Sequence, residues 1–151
     1  MRWFFKCLKQ YADFKGRARR KEYWMFGVFL FLVVFTLAFP LVSLIDYLFA
    51  QSLIGQEDME RIWDILGWVI YLPLLLPSMA VTARRLQDVG YNGWPLTLSV
   101  FGLHYLDMFM SSLIISILAV ILALICLYLC LQDSQPGTNK YGPNPKGVEA
   151  T

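Results

Sequence analysis

Three long apolar runs dominate this 151-residue chain, at 24–49, 65–83 and 94–131, and no segment outside them exceeds 23 residues. A bilayer core about 30 Å thick needs roughly 20 helical residues at about 1.5 Å each. The first run therefore spans with tilt and the second spans once. The third holds 38 residues, a helix of roughly 57 Å if unbroken. It is predicted to make two passes joined by a tight turn between Gly102 and Ser112. With 58% hydrophobic and 16% charged residues, the composition excludes an ordinary soluble domain and a disordered tail. The connecting segments leave no room for a soluble catalytic domain. The expected fold is all-α, a single integral membrane domain with four transmembrane helices at 24–49, 63–83, 94–108 and 110–131, followed by a cytoplasmic tail at 132–151.

Loops kept in the cytoplasm accumulate Lys and Arg, so charge tests the span count independently. Eight basic residues precede the first run, Arg84 and Arg85 follow the second, and Lys140 and Lys146 lie in the tail. Four spans put these twelve on one face and leave Arg61 alone among Asp46, Glu57, Asp58, Glu60 and Asp64 on the other. Both termini are then cytoplasmic. The first run begins at residue 24 and has no small-residue exit, so it reads as an anchor and not as a cleaved signal. Cys7, Cys126 and Cys130 supply no disulfide framework and read as packing thiols.

If residues 2–14 are helical, Trp3, Phe4, Phe5, Cys7, Leu8, Tyr11, Ala12 and Phe14 fill one half of the wheel, with Arg2, Lys6, Lys9, Gln10 and Asp13 on the other. That division suits an amphipathic helix in the headgroup plane of the inner leaflet. A helix that binds a partner, or packs on the protein's own cytoplasmic ends, is the alternative.

Three motifs sit at the membrane boundaries on the basic side. Residues 17–24 read R-x-R-R-x-E-Y-W, residues 83–94 read A-R-R-L-x-D-x-G-x-x-G-W, and residues 136–145 read P-G-x-N-x-Y-G-x-x-P. In this order and at these boundaries, they resemble the bacterial inner-membrane family catalogued as domain of unknown function 805. The resemblance covers the chain from about Trp3 to Pro145. It implies a small multi-pass inner-membrane protein and no established activity. The family's turn usually carries His where this chain has Gln87, which removes any metal or proton chemistry expected of an imidazole there.

The candidate site residues are Arg17, Arg19, Arg20, Arg84 and Arg85, with Glu22 and Asp88 beside them. Two readings stand. Intramolecular pairing locks two cytoplasmic elbows together, or surplus guanidinium groups bind phosphate, with a lipid headgroup as the nearest anion. In the second span, Pro73 and Pro77 predict a kink and free the carbonyls of Val69 and Pro73. Such carbonyls serve a transporter or are satisfied by Ser78, Thr82, water or a neighbour. On the outer side, Asp46, Asp64, His104 and Asp107 are either solvated loop ends or a polar group inside the bilayer. The turn decides between them, because a turn near Ser111 draws His104 and Asp107 into the membrane, where their cost argues for function.

No hydrolase, metalloprotease or phosphate-loop motif is present, and one histidine offers no metal set. The sequence therefore predicts no enzyme, no cofactor, no bound metal and no nucleic-acid partner. The expected function is a scaffold or interaction protein whose arginine-rich cytoplasmic face binds anionic lipid or a partner, either a second copy or another membrane protein. The alternative is a small oligomeric transporter or channel subunit.

Overall fold

The computed structural model describes residues 2–110 and 112–147, and within them leaves aside the side chains of Arg2, Trp3, Phe4, Leu8, Met108 and Phe109. Five helices follow one another: α1 (Arg2–Lys9), α2 (Arg20–Ala50), α3 (Gln56–Asp88), α4 (Gly93–Met110) and α5 (Leu113–Leu131). Of these, α2, α3 and α5 are long and apolar enough to cross a membrane. The 18 residues of α4 include His104 and Asp107, and they measure about 27 Å. α2 and α4 run away from one end of the bundle, and α3 and α5 return to it. That end also receives α1 and the tail, and is the basic end of the molecule.

Both α2 and α3 outrun their apolar stretches. α2 starts at Arg20, and α3 begins with Glu57 and Asp58 in its first turn, where carboxylates complement the positive helix terminus. At the other terminus α3 continues through Arg84, Arg85 and Asp88 because each finds a partner in a neighbouring element. Gly90 ends it in the left-handed region at φ +97, while the amides of Gly90 and Tyr91 donate to Gln87 and Leu86. Pro95 sits in the first turn of α4, where its missing N–H costs nothing.

α4 ends at Met110 and α5 begins at Leu113, so the chain reverses between them, with Ser111 outside the described residues. His104 and Asp107 therefore lie within α4 and not in a loop. Asp107 accepts a 2.6 Å hydrogen bond from Ser116 Oγ, which ties α4 to α5. Asp46 and Asp64 are exposed, and among the described residues no three His, Cys, Asp or Glu side chains gather as a metal site.

The N-terminal helix differs from the sequence expectation in length and in roll. It stops at Lys9 instead of residue 14. Lys6 and Gln10, expected on its water-facing side, turn inward to Glu22 and Arg84, as does Cys7, while Phe5 is exposed. The cause is Glu22, a fully buried carboxylate that needs a counter-charge. α1 accordingly packs on α2 and α3. The two buried apolar clusters also lie at the basic end. One joins Cys7, Ala18, Phe26 and Val81, and the other joins Leu86, Cys126, Leu129 and Cys130.

Both prolines lie inside an unbroken α3. Pro77 has no N–H to offer the carbonyl of Pro73, and that carbonyl instead accepts the Tyr11 hydroxyl at 2.5 Å. Ser78 and Thr82 hydroxyls bond back to Leu74 and Ser78. The N-terminal arm thus reaches down α3 as far as its proline pair.

Candidate functional site

Two ionic knots occupy the basic end, one on each side of α3. They arise because Arg84 and Arg85 are consecutive in a helix, so their side chains diverge by about 100°. Arg84 turns toward α1 and α2, and Arg85 toward α5 and the tail.

The first knot centres on Glu22. Its Oε2 accepts from Lys6 Nζ at 2.8 Å, and its Oε1 accepts from Arg84 Nη1 at 3.2 Å and from the Cys7 thiol at 3.7 Å. Arg84 Nη1 also donates to Gln10, and its Nε to the carbonyl of Ala80. Burial, and then the adjoining Glu22 carboxylate, push the Cys7 thiol up to about 11. This cysteine is a protonated hydrogen-bond donor, not a nucleophile.

The second knot centres on Asp88. Arg17 Nε donates to its Oδ1 at 2.9 Å, and its Oδ2 accepts from Arg85 Nη1 and, at 2.5 Å, from Ser134 Oγ. The rest of the Arg17 guanidinium is enclosed by backbone. Nη1 donates to the carbonyls of Gly137 and Gly142 at 2.7 and 3.2 Å, and Nη2 to those of Gln135 and Asp88 at 2.5 and 3.4 Å. All five of its N–H groups are thereby engaged. Arg85 donates onward to the carbonyls of Ala18, Cys130 and Gln132.

Each carboxylate thus lies between two cations, and a positive charge is left over in each knot. In the second knot, carbonyls absorb it. Those of Cys130 and Gln132 close α5, and that of Asp88 closes α3, where unpaired carbonyls carry the negative end of the helix dipole. Ala18 joins the knots, its amide donating to Arg84 O at 3.1 Å and its carbonyl accepting from Arg85.

The structure brings the five arginines to one end but not to one surface. Arg17, Arg84 and Arg85 are buried, with Glu22 and Asp88 fully so. Arg20 is half-exposed and reaches Gln132 O at 2.7 Å and Asp133 at 3.4 Å. Arg19 is the residue before α2 and is partly buried. Among the described residues the exposed cations of this end are lysines: Lys9, Lys15, Lys21 and Lys140, and Lys146, which pairs with Asp133.

The tail motif supplies what the sequence reading left unassigned. Gly137 and Gly142 adopt positive φ values of 69° and 134°, and Asn139 pairs with Gly142 through two backbone hydrogen bonds. This turn aims its carbonyls at Arg17. Asn139 Nδ2 also donates to Gln87 O at 3.0 Å, and the Gln135 amide to Asp88 O at 2.9 Å. Lys6, Ser134 and these carbonyls were not identified from sequence. The paired glycines of P-G-x-N-x-Y-G were their one visible signal. Gln87 is buried here, and its Oε1 has no hydrogen-bond partner among the described residues.

Comparisons with known proteins agree with an origin in a membrane. The chain is 35% identical over 146 residues to inner membrane protein YhaH of Escherichia coli (strain K12), covering 97% of this chain and 98% of the relative. It is 31% identical over 147 residues to inner membrane protein YhaI of the same organism, covering 97% of each. No solved structure matches. The family described as a protein of unknown function (DUF805) matches residues 11–143, the stretch that contains the second knot, Glu22 and Arg84 of the first, and the three helices able to span a bilayer. The chain is a transmembrane member of the DUF805 family.

Proposed function

We propose that this protein is a non-enzymatic scaffold of the inner membrane, with four passes and both termini cytoplasmic, whose basic end is a rigid platform held on anionic lipid headgroups. The observation that carries the reading is the division of labour among the cations. The buried arginines are spent on carboxylates and carbonyls, and Lys9, Lys15, Lys21 and Lys140 remain exposed at the same end. The arginines hold the platform together, and the lysines provide its surface charge. Each juxtamembrane cation contributes about 1 kcal/mol toward an anionic leaflet.

Native mass spectrometry of the full chain, released from its own membrane in mild detergent, tests this. The wild type is expected to retain anionic phospholipid, and a variant with all four lysines changed to Gln to lose it while keeping its melting temperature. Equal retention by both would overturn the reading. A co-purifying protein in place of lipid, lost with the same lysines, would replace the headgroup with a protein partner.

A further inference from the structure

Away from the basic end, α2, α3 and α4 enclose an apolar cleft of about 480 Å³, within the roughly 300–1,000 Å³ of small-molecule sites. Its walls include Leu30, Val34, Trp68, Tyr71, Phe101 and His104. Leu30, Ser78 and Phe101 also border a second apolar space of about 800 Å³, which continues past Phe26 and Val81 toward the basic end. The result is a two-part apolar groove with aromatic side chains in both parts and His104 in the first.

His104 is the chain's single histidine. With α4 as a membrane pass, it stands eleven residues beyond Gly93, about 16 Å into the membrane. A polar ring at that depth is costly and marks function unless the protein satisfies it. Its contact here is the Tyr71 ring at 6.4 Å. Asp107, the nearest carboxylate in sequence, is engaged with Ser116 instead. A neutral imidazole carries one N–H donor and one acceptor, and in an apolar cleft the natural complement to the donor is a carbonyl on a lipid-soluble molecule.

We propose that this cleft binds a membrane-soluble quinone, with its flat ring among Trp68, Tyr71 and Phe101, one carbonyl accepting a hydrogen bond from His104, and its chain in the second space. Flat rings stack favourably on aromatic faces, which selects a quinone over a fatty acid that presents the same carbonyl chemistry. The inference goes beyond the headgroup reading and rests only on the four-pass topology proposed with it.

One histidine gives one imidazole signal, so the full chain with ¹⁵N-labelled histidine, in phosphatidylcholine nanodiscs, reports directly on the cleft. Titration with decylubiquinone is expected to shift that signal saturably, and palmitic acid to leave it unmoved. Gly67 lines the cleft, and a Cβ built there meets nothing within 4 Å, so Gly67→Leu fills the space without disturbing α3. It is expected to abolish the saturable shift. His104→Phe is expected to weaken decylubiquinone retention about tenfold, the worth of one hydrogen bond. A shift that rises without saturation equally in wild type and Gly67→Leu would overturn the proposal. So would saturation by palmitic acid with none by decylubiquinone.

Discussion

Along the single helix α3, every residue from Ala80 to Asp88 is buried, whereas from Gln56 to Leu76 none is. The two halves of one rod obey different packing rules. Toward the basic end the helix meets α1, α2, α5 and the tail, and the charged groups there must find partners inside the protein. In the other half, Ile65, Val69 and Leu72 are more than half exposed, because lipid is as apolar as leucine and exposure carries no penalty. Uniqueness of structure is therefore concentrated at the basic end.

The largest test of that contrast is Asp88→Ala. Removing a carboxylate between two buried guanidinium groups leaves uncompensated charge and costs about 3–5 kcal/mol, read as a loss of folded protein or a steep fall in melting temperature in mild detergent. Glu22→Ala is expected to cost less, because Lys6 is 43% exposed and returns to water. The reverse ranking would break the account of the knots.

Two glycines sharpen the contrast with one substitution of opposite sign. A Cβ at Gly93 would overlap the backbone of Ala83, where α4 starts against α3, whereas one at Gly67 meets nothing within 4 Å. Gly93→Ala is expected to destabilise by about 1–3 kcal/mol. Gly67→Ala is expected to stabilise by up to about 1 kcal/mol, because it raises helix propensity without a clash. Thermal unfolding of the two variants side by side decides this.

Cys7 provides a test by pH. Its thiol is raised in the folded chain from 9.0 to about 11, so the neutral form is favoured by folding. Stability from this group is complete below pH 9 and is lost as pH rises toward 11. Cys7→Ser is expected to flatten that alkaline loss. Alkylation of Cys7 in native protein is expected to be slow until the chain unfolds.

How much of this was legible in sequence follows from what leaves a mark on side chains. The apolar runs announced α2, α3 and α5, and Glu22 and Asp88 stood out as the acids within the basic motifs. The reversal between α4 and α5 was bracketed but not located, because neither Gly nor Pro breaks the run after Met110. The cage around Arg17 is made of backbone carbonyls, and an acceptor that every residue possesses has no sequence signature. The roll of α1 was misread because a hydrophobic wheel assumes that polar faces seek water. Here a buried carboxylate fifteen residues away from Cys7 drew Lys6 inward.

The smallest effect belongs to the lipid-facing half. Val69 is 63% exposed, and Val69→Ala removes two methyl groups from a surface whose other wall is fluid. In a protein core the same truncation leaves a cavity that rigid neighbours cannot fill, and the cavity adds to the transfer loss. Lipid or detergent refills the space, so the expected change is within about 0.5 kcal/mol. Val81, on the same helix and 2% exposed, is the matched control, and Val81→Ala is expected to lower the melting temperature clearly. Equal effects at the two valines would mean that the far half of α3 is covered by protein in the membrane, and that a second copy or another chain closes the bundle there.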